Sequence, residues 1–470
     1  MTINILPDIA LLEIFYFYSE DECEGTTKKR VEAWHTLVHV CRKWRNIVFG
    51  SPCHLNLRLC TIEKTPVRTT LDIWPPLPIV LDVYIGGVFD EETDNWDEDN
   101  IIAALEHSDR ICEIDFFEFP TSRSEKILLA MQQPFPALTY LNLHFVGDTT
   151  PVQYDSFLGG SAPLLQTLDL NNVPFPGLPK LILSATHLVV LSVMGIPHSG
   201  YFSPEAIVSA LSVLTSLENL TIGFESRRSR PKRRLPPETR TLLPILTEFY
   251  FIGVDKYLED LISRIDAPLL KKLTITFLHQ PIFDTAQLTR FVSRTPKLRR
   301  HENAYVEFTN GNVSVTLLQS YSRKICLGIS YKDPNLQPFL LAQVCSSFFP
   351  QAFIPAVEHL YIKSGWSQLH WQRDIAQIQS SEWLDLLRPF SSVKCLYIPG
   401  EFGRSVARAL DELIGDRATE AFPALQTLFL ETADLSGRVW KAIGQFVTAR
   451  QLVGHPIAVS SWECEPVMDD

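Results

Sequence analysis

The sequence predicts an α/β chain in two parts. A small N-terminal helical unit comes first, then an irregular array of stacked units, with a curved parallel sheet inside and helices outside. Three observations predict this. A phrase of the form apolar–x–x–apolar–x–apolar recurs between residues 111 and 430. Helix-like apolar spacing fills intervals between the phrases. Residues 6–48 carry more apolar surface, at spacings of three and four, than so short a stretch hides within itself.

The N-terminal unit rests on two pieces. In Leu6-Pro7-Asp8-Ile9-Ala10-Leu11-Leu12-Glu13-Ile14-Phe15, a helix starts at Asp8, whose carboxylate suits free N–H groups and the positive end of the dipole. Further on, Trp34, Leu37, Val38, Cys41, Trp44 and Val48 form one apolar face of a helical segment, with Arg42, Lys43 and Arg45 off that stripe. The surplus apolar surface must face a partner or the rest of the chain. His35 and His39 share a helix face, but Thr36 stands where a zinc protease carries its glutamate. They read as polar positions beside a packed face.

Bulk composition bounds the rest. A chain of 470 residues exceeds one compact core. Net charge of −12 argues against nucleic acid as the main partner. No run approaches the ~20 apolar residues of a membrane span, and Met1-Thr2-Ile3-Asn4 shows no secretion signal. Nine cysteines without CxxC pairing fit a reduced intracellular compartment, cytoplasm or nucleus. No glycine-rich phosphate loop, nucleophile elbow or dinucleotide fingerprint is present. The expectation is a non-catalytic protein without cofactor or metal.

The phrase begins at Ile111, Leu138, Leu165, Leu188, Leu217, Leu246 and Leu270, then again at Val357, Val393 and Leu425. The first seven starts are 23 to 29 residues apart, which is the leucine-rich-repeat period. Its last apolar–x–apolar predicts a short strand with alternate residues inward. Proline just before several phrases, as in Phe135-Pro136, Ala162-Pro163, Ala267-Pro268, Thr295-Pro296 and Phe422-Pro423, stops the preceding helix and extends the chain. Residues 204–211, 258–265 and 382–387 read as intervening helices. Between 270 and 357 the phrase fades, with Leu298 and Leu327-Gly328-Ile329 as degraded copies. A doubly wound enzyme would also alternate strand and helix, but no phosphate loop follows any strand here.

The expected boundaries are a helical unit over 1–56 with a polar insertion at 19–30, and a linker with the first strand over 57–110. The repeat array follows over 111–455, then a tail over 456–470. Residues 77–83 read as a strand and the acidic run 90–99 as a solvated loop. The basic run Arg227–Arg234 reads as an import signal, a docking patch for an acidic partner or a solvated loop.

In each strand the residue between the two apolar ones faces the concave side. That column runs Asp115, Asn142, Asp169, Ser192, Thr221, Tyr250, Thr274, Tyr361, Tyr397, Phe429. Early members are small and polar; late ones are aromatic, the residue type that anchors interfaces. Tyr250, Tyr361, Tyr397 and Phe429, with Lys363 and Glu431 at the edge, are the candidate target-binding residues. The alternative is that a loop or the C-terminal tail covers this strip.

The ordered set Leu6-Pro7, an Ile/Leu/Phe helix, Val40-Cys41-Arg42-x-Trp44-Arg45 and Ser51-Pro52 resembles the F-box, the adaptor-binding domain of cullin-based ubiquitin ligases. Leu55-Asn56-Leu57-Arg58-Leu59, followed by Leu71-Asp72-Ile73-Trp74-Pro75-Pro76-Leu77-Pro78-Ile79, is similar to F-box proteins of mushroom-type (basidiomycete) fungi. Residues 19–30 lengthen the usual connection between the first two helices, and His54-Leu55 replaces the usual Leu-Trp. The resemblance implies a substrate-recognition subunit, docked on a Skp-type adaptor and through it on a cullin. It implies adaptor contacts at Leu6, Pro7, Ile9, Leu12, Ile14, Phe15, Val40, Cys41, Trp44 and Val48. The rival expectation is a scaffold of leucine-rich-repeat type without a ligase.

Overall fold

The computed structural model describes residues 6–21, 27–52, 54–60, 67–84, 98–121, 124–147, 156–226, 239–278, 285–298, 301–309, 312–320, 323–330, 337–352, 357–364, 378–413, 415–431 and 437–462. Residues 22–26 of the polar insertion, 90–97 of the acidic run and the basic run Arg227–Arg234 lie outside them, while Glu98 and Asp99, expected in the acidic loop, begin a helix. The chain is α/β and divides into two units, residues 1–202 with 209–217, and residues 203–208 with 218–470.

The first unit opens with three helices, α1 (Asp8–Asp21), α2 (Thr27–Val40) and α3 (Arg42–Gly50). Strands and helices then alternate as β1 (Leu59–Cys60), α4 (Val67–Ile73), β2 (Ile79–Tyr84), α5 (Glu98–Leu105), β3 (Ile111–Pro120), α6 (Ser124–Ala130), β4 (Tyr140–Val146), β5 (Thr167–Asn171), α7 (Leu178–Ile182) and β6 (Val190–Ile196). β1 to β6 pair in chain order, all parallel.

The segment expected as one helical stretch from Trp34 to Val48 is broken. Cys41 is extended (φ −161°, ψ 168°), and α3 starts on its carbonyl, which accepts from Arg45 N–H at 3.1 Å. The Arg45 guanidinium turns back and donates to the Val38 carbonyl at 3.0 Å. It thereby satisfies a carbonyl that the end of α2 leaves without an intrahelical donor. The three helices share one core of Leu11, Phe15, Trp34, Leu37, Val38 and Val48 with Leu55, Leu57, Leu59 and Leu77. Trp34 Nε1 donates to the Arg58 carbonyl at 2.9 Å. The helical unit is therefore packed onto the first strand rather than tethered to it.

α8 (Pro204–Leu211) lies where the chain passes between the units. The second unit contains β7 (Asn219–Phe224), β8 (Thr241–Leu242), β9 (Glu248–Gly253), α9 (Asp255–Ser263), β10 (Ile265–Asp266), β11 (Lys272–Leu278), α10 (Ala286–Arg294), β12 (Asn303–Thr309), β13 (Asn312–Ser320) and β14 (Arg323–Ser330). It continues with α11 (Gln337–Ala352), β15 (His359–Ser364), α12 (Ser380–Leu387), β16 (Cys395–Ile398), α13 (Gly400–Asp411), β17 (Thr427–Glu431), α14 (Gly437–Leu452) and β18 (Ala458–Trp462). β8 and β10 form a separate two-stranded parallel sheet. The main sheet of this unit runs β7-β9-β11-β14-β13-β12-β15-β16-β17-β18. Each of α9 to α14 packs against the next in sequence.

Every strand of that sheet is parallel to its fellows except β13, the middle of an antiparallel meander. Here the phrase fades and the chain steps out of order: β12 lies beyond β14 and β13, and its far side takes β15. The Leu327-Gly328-Ile329 copy is a strand, β14, in register with Leu273–Ile275 of β11 by way of Ile325-Cys326-Leu327. Residues 458–462, expected in the C-terminal tail, are a strand paired with β17.

The phrase has one physical meaning throughout. Its three apolar positions are at most 3% exposed in all ten copies. In nine of the ten, the strand begins at the third residue of the phrase. The proline before several copies sits second in a turn rather than merely ending a helix. Leu138 N–H bonds the Phe135 carbonyl, Leu165 the Ala162 carbonyl, Leu270 the Ala267 carbonyl and Leu425 the Phe422 carbonyl, at 3.0–3.3 Å. A fixed φ suits that second position. The second residue of the phrase then donates to the preceding unit, as Gln166 does to Thr139 and Gln426 to Lys394, both at 2.8 Å. No copy completes its own hydrogen bonds, so each needs its neighbour.

Candidate functional site

Two surfaces gather the residues singled out by sequence, one in each unit. In the first, α1 buries Leu11 and Phe15 and turns its opposite side outward. Ile9 is 78% exposed, Phe17 64%, Ile14 43% and Leu6 37%. Ile9, Glu13 and Phe17 form one i,i+4 row and Ala10, Ile14 and Tyr18 the next, which is why these side chains fall on one face. Val40, at the end of α2, is exposed as well. Lys43 fixes the start of α1, pairing with Asp8 at 3.2 Å and donating to the Leu6 carbonyl at 3.1 Å. A groove of about 550 Å³ beside it is lined by Asp8, Ile9, Leu12, Arg42, Lys43 and Asn46, among others.

The ten expected adaptor contacts therefore separate. Leu6, Pro7, Ile9, Ile14 and Val40 are exposed. Leu12, Cys41 and Trp44 are half-buried, Trp44 with its ring 4.7 Å from that of Phe15. Phe15 and Val48 are fully buried and belong to the core, so a partner does not reach them here. His35 is taken up by packing and His39 stands exposed beside it. His35 stacks on Trp74 at 5.1 Å and 10°, and His39 meets the same ring edge-on at 6.0 Å. Burial, then the neighbouring His39, hold the His35 imidazole below its ordinary range.

In the second unit the strand register sets Tyr305, Tyr361, Tyr397 and Phe429 directly opposite one another on β12, β15, β16 and β17. Their rings stack in a column, 4.8 Å and 13°, 4.1 Å and 10°, then 4.5 Å and 3°. These distances are close to the ~4.8 Å spacing of strands, so the backbone delivers the stacking. All four side chains are half-buried. Lys363 Nζ lies over the Tyr305 ring at 4.6 Å from its centroid. Burial, then the Tyr397 hydroxyl, push the Tyr361 phenol up.

Trp462 of β18 folds back over the column, edge-on to Tyr397 at 5.4 Å and to Tyr361 at 6.4 Å, its Nε1 donating to the Ile398 carbonyl at 3.3 Å. The last strand thus supplies part of the cover that was one of the two expectations for this strip. One carboxylate oxygen of Glu431, Oε2, accepts the Gly400 N–H at 2.9 Å, at the start of α13. Tyr250 is apart from the column, flanked by Thr221 and Thr274 and bonded to Thr276. Sequence reasoning missed Tyr305 and Trp462. Tyr305 stands in a strand without the leading apolar residues, and Trp462 in a presumed tail. Alternation in Ala304-Tyr305-Val306-Glu307-Phe308 was the usable signal.

The corresponding column of the first unit is polar. Asp82, Asp115, Asn142, Asp169 and Ser192 lie opposite one another on β2 to β6. Asn142 Nδ2 donates to Asp115 Oδ1 at 2.9 Å. Burial pushes both the Asp115 and Asp169 carboxyls up, against hydrogen bonds from Asn142 and Ser192. Burial and then the nearby carboxylates push the Tyr140 phenol up to about 12.

The chain matches no protein-family model and no curated protein sequence. Among the described residues, no group of three or more His, Cys, Asp or Glu is placed to hold a metal ion. No helix among them is long and apolar enough to cross a membrane.

Proposed function

We propose that this chain is the substrate-recognition subunit of a cullin-RING ubiquitin ligase of the Skp-cullin-F-box type, acting in cytoplasm or nucleus. The first unit's helices are an F-box that docks on a Skp-type adaptor. The strand-and-helix units form a leucine-rich-repeat solenoid that holds a target protein. The chain contributes proximity, turning a bimolecular encounter into a local one, and needs no catalytic residue of its own.

The observation that carries the reading is the outer face of α1. One side of this helix is locked into a core by Leu11 and Phe15, while Leu6, Ile9, Ile14 and Phe17 stand in water on the other. Single exposed apolar residues are ordinary; a row of them on one anchored helix marks an interaction surface. The repeat reading is supported by the hydrogen bonds that link each unit to its predecessor and by helices that pack in sequence order.

Co-expression with a Skp-type adaptor and cullin tests it. The intact chain is expected to co-elute with both, and Ile9→Asp to abolish co-elution while the thermal midpoint holds. Leu6→Ala with Pro7→Ala is expected to weaken it. Retained binding in Ile9→Asp, or no binding by the intact chain, removes the docking assignment.

One observation favours the rival, a scaffold in which the F-box-like segment serves its own fold. The core of α1 to α3 is continuous with Leu55, Leu57, Leu59 and Leu77. The same co-elution experiment separates the two.

A further inference from the structure

The ring column of the second unit stops one strand short of the sheet edge. β18 is the last strand of the order, and among the described residues nothing pairs with its outer side. Opposite Phe429 it carries Ser460, a small and exposed side chain. One face of Phe429 is taken by Tyr397 at 4.5 Å and 3°. On the edge side its neighbour is the short Ser460, and Trp462 of the same strand packs edge-on to Tyr397 and Tyr361.

The backbone of β18 is arranged to extend the sheet. Ala458 donates its N–H inward, to the Gln426 carbonyl at 2.8 Å. Alternation along a parallel strand then turns the N–H and C=O groups of Val459 and Ser461 outward. Natural sheets blunt such edges with lysine, proline or a bulge. Ala458-Val459-Ser460-Ser461-Trp462 holds no lysine or proline and pairs with β17 in unbroken register.

Charge and ring chemistry name the occupant. Glu431 shares the face of β17 that bears Phe429, two residues on. The column already accepts a cation at its other end, where Lys363 lies over Tyr305. An arginine stacks on an aromatic face while its guanidinium stays available to a carboxylate.

We propose that β18 and Phe429 form a docking site for an extended segment of a partner protein. The segment adds as a further strand and places an arginine opposite Ser460, so that its guanidinium lies on the open face of Phe429 beside Glu431. This deepens the target-binding half of the proposed function and does not depend on the adaptor-binding half.

The test titrates blocked synthetic peptides of alternating threonine and valine, with one central arginine, into the full-length chain by fluorescence anisotropy. Peptides with central glutamine and central glutamate are the comparison. The arginine peptide is expected to bind, the glutamine peptide about tenfold more weakly and the glutamate peptide more weakly still. Ser461→Pro removes an outward donor without touching the β17 ladder and is expected to abolish binding of all three. Phe429→Leu is expected to level arginine and glutamine. Ser460→Lys, which supplies a cation from the chain itself, is expected to do the same should Phe429→Leu fail to fold. Circular dichroism and the thermal midpoint report the fold of each variant.

No binding of the arginine peptide overturns the proposal, as does equal binding of arginine and glutamine peptides, or unchanged binding in folded Ser461→Pro. Light scattering reads the competing occupant. A concentration-dependent dimer that Ser461→Pro dissolves assigns the edge to a second copy of the chain and overturns it too. No adaptor is present in these assays, so their failure and that of adaptor docking are read separately.

Discussion

Asp115, Asn142 and Asp169 in the first unit occupy the same place in the phrase as Tyr361, Tyr397 and Phe429 in the second. The apolar residues on either side are equally buried in both units, so inward packing does not distinguish the columns. Their lateral neighbours do. Strand spacing brings each side chain to its counterpart on the next strand, and the two chemistries that meet there decide whether the contact attracts or repels. In the second unit flat rings meet flat rings and attract. In the first, half-buried carboxylates stand in one row, and the row holds because Asn142 and Ser192 interleave as hydrogen-bond donors. A sheet whose strands carry the same phrase thus leaves one position per strand open to specialise, and constrains it sideways rather than inward.

The largest expected effect would break the claim that the two scaffolds are equivalent. Leu168→Ala and Leu396→Ala, at matching buried positions, should each cost about 2–5 kcal/mol, as buried leucines do. Urea unfolding of the full-length chain measures both. A loss well under that range at one site alone would mean that the two stacks are not packed alike.

Next is Tyr397→Ala, which removes a ring stacked on both sides. Aromatic pairs contribute about 0.5–1.5 kcal/mol each beyond their buried area, so the cost should exceed that of Tyr305→Ala, whose ring stacks on one neighbour of the column. Equal costs for the two would show that the column is a by-product of register.

Asn142→Asp puts a further carboxylate into the polar row and removes the donor to Asp115. A loss of about 1–2 kcal/mol at neutral pH is expected from the lost bond and the added like charge. The same change at Thr274, flanked by Tyr250 and Cys326, meets no row of carboxylates and should cost less.

The smallest effect is a gain. Burial raises the Asp115 and Asp169 carboxyls above their unfolded range. The folded state then binds more protons than the unfolded one between the two pKa values, so stability falls as pH rises through that window. Asp169→Asn should raise the thermal midpoint slightly at neutral pH. The gain should vanish below the ordinary carboxylate range, near pH 4. A gain that persists in acid would trace to packing instead of charge.

Much of this was legible in the sequence. Apolar alternation with a leading Leu, Ile or Val marked ten strands, because burial of every second side chain is a local signature. The exposed face of α1 was legible for a related reason: Ile9, Ile14 and Phe17 are too many apolar groups for one short helix to bury along with Leu11 and Phe15. Other features needed the assembled chain. The break at Cys41 depends on Arg45 reaching back to the Val38 carbonyl. The displacement of β12 past β13 and β14 depends on pairing between strands far apart in sequence, which no local period encodes. Tyr305 joined the ring column, and Trp462 folded over it, only through that pairing. The sequence by itself determined which side chains go inward, since that is set by period and polarity along a single strand. Only the tertiary structure decided which outward side chains meet, since that is set by register between strands, a property of no strand alone.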